Sequence, residues 1–332
     1  MNLNTRSLII TSIIVFFVVI LFLGFSTPAM HNLPDEYNSG RVLGVSEAMA
    51  NRPFNSLGYE LPQNDYKPIV SPLKNEGVKN INLNIHSGAV LDSQTGTLIY
   101  GQEADYVQPI ASITKLVTAL VFLDIKPKWE DVYKMKASDR VDGGMIYLLT
   151  GEEVTVKDLF YLSLVGSANS ATRALVSATG MTQKEFVAKM NNKVESMGLK
   201  KTNFVDPVGL SDLNVSTAAE VTKIANEALQ NKYIQEATLT KEYKFKTLAG
   251  RINTVYNTDV LLGIFSGDDI KIAGGKTGYT GMAGYCFVGK FINSDGKAVI
   301  SVVLGGDTIN SRFHETRNLI NWVYNNFEWK QY

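Results

Sequence analysis

The longest uninterrupted apolar run lies near the start of the chain. The segment LIITSIIVFFVVILFLGF, which begins at Leu8, spans 18 residues without a charge, close to the roughly 20 that a helix needs to cross a bilayer. Arg6 precedes this run and Asp35 and Glu36 follow it, an order that favours a cytoplasmic N-terminus. We therefore predict a single-pass anchor at residues 1–25 and an extracytoplasmic location for the rest. A cleaved signal peptide is the alternative, although its apolar core is typically shorter and STPAM is a poor cleavage site.

Residues 26–80 show no sustained helical or strand period. They are polar and interrupted by proline and asparagine, as in TPAMHNLPDEYNSG and ELPQNDYKPIVSPLKNEG. A segment of this composition does not bury enough apolar surface to fold by itself. We predict an extracytoplasmic linker here, with some local order around residues 42–50.

From residue 81 onward, short apolar runs alternate with turn residues. GAVLDSQTGTLIYG predicts two strands joined by a turn at residues 93–96. After residue 241, strand patterns return in YKFKTL, GYCFVGKF and KAVISVVLGG, and INSRFHETRNLINWVYNNF predicts a closing amphipathic helix. Residues 81–332 are therefore predicted to form the folded domain.

Helical patterns fill the middle of this domain, and some carry their own start signals. Thr182 with Glu185 forms a capping-box pattern, and Ser216 or Thr217 with Glu220 forms another. Strands at both ends with helices between them predict an α+β fold, an α/β sandwich. In this arrangement one antiparallel sheet is assembled from distant segments around an inserted helical block.

Charge and cysteine content narrow the functional classes. Lys+Arg and Asp+Glu are equal at 32 each, so no basic excess is present to neutralise nucleic-acid phosphates. The single cysteine, Cys286, rules out an internal disulfide and a thiolate cluster. His31, His86 and His314 are scattered, without the paired spacing of a zinc site. We expect no metal and no cofactor.

One stretch, PIASITKLVTAL, places Ser112 and Lys115 three residues apart at the start of an apolar helical run. Residues at this spacing share a helix face, so the ammonium can approach the hydroxyl. A buried lysine with a lowered pKa can act as the base that activates a serine. Taken alone, S-x-x-K occurs by chance in many proteins, and a helix cap with a solvated lysine is the better interpretation of the isolated pair.

Two further motifs follow in order. VGSANSA carries Ser167 and Asn169, and GGKTGYTGMAGYCFVG carries Lys276, Thr277 and Gly278 before a predicted strand. S-x-x-K, a Ser-x-Asn motif and K-T-G in this order form the signature of class A β-lactamases and penicillin-binding proteins. Each motif is weak, but the ordered set at domain-scale spacing indicates a covalent serine chemistry.

The chain from residue 81 onward therefore resembles the D-alanyl-D-alanine carboxypeptidase family, the low-molecular-weight penicillin-binding proteins. MNNKVESMGLKKTNFVDPVGLS and KTGYTGMAGYCFV are also similar to that family's linking segments. The resemblance implies a β-lactamase/D,D-peptidase-like fold and a serine D,D-peptidase that trims terminal D-Ala from peptidoglycan stem peptides. It also implies that β-lactams are covalent inhibitors.

The resemblance assigns the catalytic roles to three residues. Ser112 would be the acylated nucleophile, Lys115 its general base, and Ser167 a proton relay to the leaving group. Lys115 must then be neutral part of the time, so we expect it to lie buried near Ser112 and Ser167.

Substrate binding falls to a second set of residues in the same family. Asn169 would hold a backbone carbonyl, and Lys276 with Thr277 would receive the terminal carboxylate. The N–H groups of the nucleophile and of Tyr279 would form the oxyanion hole, while Gly278 lets the substrate backbone approach the strand.

Several departures keep alternatives open. Ala168 stands where the family more often has glycine, a mild change. The segment DLNVSTAAE is short and lacks a histidine, which resembles the D,D-endopeptidase branch, so endopeptidase cleavage of cross-links is the alternative to carboxypeptidase action. A serine β-lactamase is a weaker alternative, because Asp206 and Asp212 fit turns rather than a deacylating carboxylate. An inactive wall-binding scaffold is the last.

Overall fold

The computed structural model describes residues 70–267 and 269–330. The predicted membrane span at residues 1–25, and the predicted linker up to residue 69, lie outside the described residues. Across the described ranges, no helix combines the length and the apolar character that crossing a bilayer requires.

The described residues form thirteen strands and eight α-helices. The strands are β1 (Leu73–Lys74), β2 (Ser87–Asp92), β3 (Leu98–Gln102), β4 (Gln108–Pro109), β5 (Val132–Lys134), β6 (Glu153–Thr155), β7 (Val215–Ser216), β8 (Glu242–Lys246), β9 (Ile252–Tyr256), β10 (Ile270–Thr280), β11 (Gly284–Asn293), β12 (Ala298–Gly306) and β13 (Phe327–Glu328). The helices are α1 (Lys115–Asp124), α2 (Val156–Leu164), α3 (Asn169–Ser177), α4 (Gln183–Ser196), α5 (Ala218–Ala228), α6 (Lys232–Leu239), α7 (Leu261–Ile264) and α8 (Ser311–Asn326).

A five-stranded antiparallel sheet organises the domain, with strand order β10-β11-β12-β2-β3. Strands β2 and β3 come from the start of the domain and β10 to β12 from its end, and helices α1 to α7 lie between them in sequence. The predicted α+β architecture, with an inserted helical block, is confirmed. YKFKTL was predicted as a strand, and this is confirmed by β8, although β8 pairs with β9 in a separate hairpin and not with the large sheet.

Side chains on the two faces of the sheet enter different cores, because successive residues of a strand point to opposite sides. Ala89 and Leu91 of β2 pack into the core shared with the inserted helices. Val90, between them, packs into a second core with Phe313 and Ile320 of α8. The sheet is therefore sandwiched between the helical block and the closing helix.

The local start signals agree with the structure. Thr182 Oγ1 accepts the N–H of Glu185 at the start of α4, and the Glu185 carboxylate accepts the N–H of Thr182 in return. Of the two candidate caps before α5, Thr217 is the one used, since its Oγ1 accepts the N–H of Glu220. The turn at residues 93–96, predicted between β2 and β3, is also confirmed.

A short clasp joins the two ends of the described chain. Strand β1 pairs with β13 through Leu73 opposite Glu328 and Lys74 opposite Phe327. Leu73 and Lys74 fall inside the range 26–80 that we predicted as a linker. Ordered structure therefore begins before residue 81.

Candidate active site

Ser112 lies in a 3-10 turn, Ala111–Thr114, that leads directly into α1. The residue before it, Ala111, has a positive φ of 48°, a left-handed conformation that costs energy for a residue with a side chain. Neither turn nor helix receives a side-chain cap, and the Ser112 hydroxyl instead accepts a hydrogen bond from Lys115. The interpretation of Ser112 as a helix cap is therefore wrong.

Lys115 is completely buried, with 0% exposure. Its Nζ donates to Ser112 Oγ at 2.6 Å, to Asn169 Oδ1 at 2.9 Å and to the carbonyl of Val208 at 2.7 Å. Burial lowers the pKa of Lys115 to about 7, and the charge of Asp206 opposes that shift. The solvated-lysine interpretation is excluded, and the amine can be neutral near physiological pH.

The hydroxyl of Ser167 is hydrogen-bonded to a second lysine, Lys276. Lys276 Nζ donates to Ser167 Oγ at 2.8 Å and to the carbonyl of Thr277 at 2.9 Å. Lys115 donates its three hydrogens to the partners named above, so the expected proximity of Ser167 to Lys115 stays a prediction. Ser167 also has a positive φ, 52°, so it is the second residue of the site, after Ala111, in a left-handed conformation.

Lys276 lies behind the cleft wall rather than in it. Its exposure is 1%. We predicted that the motif precedes a strand, and this is wrong, because Lys276 lies within β10. Burial, followed by the charges of Lys115 and Arg312, lowers the pKa of Lys276. The ammonium is held by Ser167 and Thr277, so direct contact between Lys276 and a substrate carboxylate is not favoured.

Asn169 is the first residue of α3, and both ends of its amide are engaged. Oδ1 accepts from Lys115, and Nδ2 donates to the carbonyl of Gly143 at 2.9 Å. The side chain therefore orients the lysine and fixes the loop that faces β10. One amide hydrogen remains for a ligand, since an Asn side chain carries two.

Residues Thr277 and Gly278 form the strand edge beside the nucleophile. The hydroxyls of Thr277 and Thr258 are 2.6 Å apart. A Cβ built on Gly278 would come within 3.3 Å of the Ser112 nitrogen and 3.0 Å of the Ile110 carbonyl. Any side chain at this position would crowd the N–H group predicted for the oxyanion hole.

Arg312, from the first turn of α8, is a cleft residue that our sequence reasoning did not identify. It lines the same cavity as Ser112 and Thr277, it is 6% exposed, and its Nη1 donates to the Gly278 carbonyl at 3.0 Å. Its guanidinium carbon lies 5.4 Å from the ring centre of Tyr285. No motif marks this residue, because it reaches the site from another element.

The cleft between β10 and the helical block has a volume of about 900 Å³. The predicted site residues Ser112, Ser167, Asn169, Thr277, Gly278 and Tyr279 all line it. Its rim includes Met145 and Met282, whose side chains are 67% and 72% exposed. The site therefore combines a buried polar floor with an apolar, open edge.

Two other sequence interpretations agree with the structure. Cys286 is buried in β11, and burial raises the pKa of its thiol to about 11, so it is a structural residue. Asp206 accepts the N–H groups of Val208, Gly209 and Ser211, as a turn residue does.

Comparison with known proteins adds independent information. Residues 75–308 match the family model described as D-alanyl-D-alanine carboxypeptidase. The chain is 32% identical to the D-alanyl-D-alanine endopeptidase of Escherichia coli K12, over 71% of this chain and 76% of that protein. It is 30% identical to the D-alanyl-D-alanine carboxypeptidase DacF of Bacillus subtilis 168, over 73% of this chain and 62% of that protein. The Streptomyces K15 DD-transpeptidase superposes with a TM-score of 0.69 at 29% identity, over 74% of this chain and 98% of that chain.

Proposed function

Because this chain belongs to the D-alanyl-D-alanine carboxypeptidase family, we propose that it is a serine D,D-peptidase that removes the terminal D-Ala from peptidoglycan stem peptides. The observation that carries this proposal is the contact between a fully buried Lys115 and the hydroxyl of Ser112, at 2.6 Å. A buried amine beside a serine hydroxyl is what nucleophilic catalysis requires of a base.

Acylation begins with neutral Lys115 taking the proton of Ser112 as Oγ attacks the penultimate D-Ala carbonyl. Negative charge then develops on the carbonyl oxygen, which the N–H groups of Ser112 and Tyr279 stabilise. Collapse of this intermediate breaks the peptide bond. Ser167 delivers its proton to the departing nitrogen, and the proton that Lys115 took from Ser112 restores the Ser167 hydroxyl. Water hydrolyses the resulting ester and restores Ser112. Donors of the oxyanion-hole type typically contribute about 3 to 4 kcal/mol each.

Recognition of the terminal carboxylate falls to Thr277 and Arg312. Both line the cleft, whereas Lys276 lies behind it. A guanidinium matches the planar geometry of a carboxylate better than an ammonium does. The remaining amide hydrogen of Asn169 would bind a backbone carbonyl of the stem peptide.

The direct test is covalent labelling followed by product analysis. Labelled penicillin should form a long-lived adduct with the wild-type chain and none with Ser112→Ala. Incubation with a D-Ala-D-Ala pentapeptide should release one D-Ala, detected by mass. Rapid turnover of the penicillin would instead indicate a β-lactamase, and absence of any adduct would indicate an inactive wall-binding scaffold.

A second candidate is D,D-endopeptidase action on cross-linked stems. It is favoured by the relative of that name and by the open cleft of about 900 Å³, which leaves room for a larger leaving group. A cross-linked dimer offered beside the pentapeptide distinguishes the two activities, since an endopeptidase releases two stems. The ratio of kcat/KM for the two substrates then gives the preference.

We also propose that the chain acts outside the cytoplasm, held by the apolar run at residues 8–25 as a single-pass anchor, with residues 26–69 as a linker. The support is the sequence pattern of length and charge given above. Release of the protein from washed membranes by detergent, but not by salt, would agree with an anchor. A mature chain that begins after residue 25 would show that the run is a cleaved signal peptide.

A further inference from the structure

A buried carboxylate lies behind the cleft, outside the proposed mechanism. Asp259, just before α7, is 3% exposed. Its Oδ1 accepts the N–H of Leu261 at 2.9 Å, but its Oδ2 is buried and has no hydrogen-bond partner in residues 70–267 and 269–330. A Cβ on Gly275 would lie 3.1 Å from Oδ2, so this oxygen lies against β10 at the residue that precedes Lys276. An unpaired buried oxygen costs free energy and needs an explanation.

The charged groups around Asp259 are cations held on two other elements. Lys276 comes from β10 and Arg312 from α8, and the charges of both act on the Asp259 carboxyl. Arg312 Nε is also buried without a partner in the described part of the chain. Tyr285 and Cys286 of β11 act on Arg312, and the raised pKa of the Cys286 thiol keeps it neutral.

The state of Lys276 depends on this balance. Burial, Lys115 and Arg312 each lower its pKa, and Asp259 acts in the opposite direction. A charged Lys276 has three hydrogens and no lone pair, so it can only donate to Ser167 Oγ. Ser167 then keeps its own hydrogen available for the substrate. A neutral Lys276 carries a lone pair that can accept this hydrogen and turn it away from the leaving group.

We infer that Asp259 is a positioning residue of the proposed D,D-peptidase reaction, which acts through Lys276. Its negative charge retains the proton on Lys276 and so keeps the Ser167 hydroxyl directed at the substrate. This inference rests on the proposed function, and it explains why a carboxylate oxygen is left unpaired beside the third motif. A neutral side chain would satisfy the same backbone contact without the charge.

The inference has a pH signature. Burial raises the pKa of Asp259 to about 7, so the carboxyl is largely neutral below about pH 6 and charged above about pH 8. Asp259→Asn keeps an oxygen for the N–H of Leu261 and removes only the charge. The acylation rate of the variant should therefore equal that of the wild type at acidic pH and differ from it at alkaline pH.

The experiment measures the rate constant for acylation of Ser112 by labelled penicillin from pH 5 to pH 10, in the full chain. For Asp259→Asn we expect coincidence with wild type below about pH 6 and an alkaline limb displaced to lower pH by about one unit. At any one pH on that limb, this displacement makes the acylation rate of the variant about tenfold lower than that of the wild type. In a Lys276→Arg background, where residue 276 no longer titrates, Asp259→Asn should shift nothing.

Asp139→Asn is the matched control. Asp139 is buried, with 0% exposure, and accepts hydrogen bonds from Tyr133 and Ser177 away from the cleft. This variant should lose stability without a change in the shape of the pH profile. If Asp259→Asn does not fold, Asp259→Ser, which keeps a hydroxyl near Leu261, replaces it.

Two outcomes separate the inference from the function on which it rests. Superimposable profiles for wild type and Asp259→Asn, or a loss by one uniform factor at every pH, would overturn the role of Asp259. Absence of acylation in the wild-type chain would instead overturn the proposed function.

Discussion

Lys276 Nζ lies 2.8 Å from Ser167 Oγ, although the two residues are 109 positions apart. Together with the contact of 2.6 Å between Lys115 and Ser112, this gives the cleft two serine–lysine pairs. The proposed reaction needs one proton removed from a nucleophile and one delivered to a leaving group. Each pair is placed for one of these transfers.

Removal of the Ser167 hydroxyl tests whether this residue delivers the proton to the leaving group. Ser167→Ala should slow acylation by a D-Ala-D-Ala peptide by about 10² to 10⁴, the range of a lost proton transfer, because the departing amine then leaves unprotonated. Single-turnover kinetics measure this step. A peptide ester, whose alkoxide leaves more readily, should lose much less, and equal losses for both substrates would contradict the assignment.

The lowered pKa of Lys115 predicts the acid limb of the reaction. Only neutral lysine accepts a proton, and its pKa is about 7, so acylation of Ser112 should rise with pH through a midpoint near 7. The same pKa affects stability. It lies below the ordinary value of 10.5, so between pH 7 and pH 10.5 the unfolded chain binds more protons than the folded chain. The free energy of unfolding therefore increases with pH in that window. Penicillin acylation rates between pH 5 and pH 9 would show the limb, and a pH-independent rate would argue against lysine as the base.

A methyl group at Gly278 should obstruct the oxyanion hole. Its Cβ would meet the Ile110 carbonyl at 3.0 Å, the Ala111 Cβ at 3.2 Å and the Ser112 nitrogen at 3.3 Å. We expect Gly278→Ala to lower kcat/KM by about 10² or more, as loss of an oxyanion donor does. Gly263→Ala is the control, because a Cβ there meets nothing within 4 Å; similar losses in the two variants would refute a local effect.

Arg312 should matter only for substrates that end in a carboxylate. A hydrogen bond to a charged group contributes about 1.5 to 3 kcal/mol, so Arg312→Gln should lower kcat/KM for the free acid by about 10- to 150-fold. The C-terminal amide of the same peptide should react equally slowly with both proteins. Measured kcat/KM for the four combinations gives the coupling, and parallel losses on acid and amide would place the effect elsewhere.

Asp259 should also leave a mark on stability. Burial raises its pKa from 3.8 to about 7, so between these values the folded chain holds more protons than the unfolded chain, and stability falls as pH rises. Asp259→Asn removes this penalty. Thermal unfolding measures the difference in Tm between the variant and the wild type. This difference should be several degrees larger, in favour of the variant, at pH 8 than at pH 5. The same difference at both pH values would contradict a raised pKa.

The sequence predicted what local pattern controls. Capping at Thr182 and the two-strand pattern around residues 93–96 depend on neighbours a few positions away, and both were right. Motif order also predicted that Ser112, Asn169 and Thr277 would line one cleft. These residues come together because the sheet joins segments from both ends of the domain.

The features of the site that the sequence did not predict depend on contacts between distant elements, which no local pattern specifies. Arg312 lies 34 positions after Gly278, to whose carbonyl it donates, in a helix with no motif of its own. Lys276 was predicted to receive the substrate carboxylate, yet its side chain is buried and donates to Ser167 and Thr277. The role inferred for Asp259 depends on Lys276 of β10 and Arg312 of α8, whose charges act on its carboxyl although both residues are distant from it in sequence.

The clasp between β1 and β13 makes the domain nearly a closed ring. Paired strands lie about 5 Å apart, so a few added residues would join the chain near Lys74 to the chain near Phe327. New ends could then open at the turn containing Gly296, where a Cβ would meet nothing within 4 Å. A circular permutant built in this way would keep every cleft residue. It would move the chain ends, and with them the point at which a tether could be attached, to the turn at Gly296.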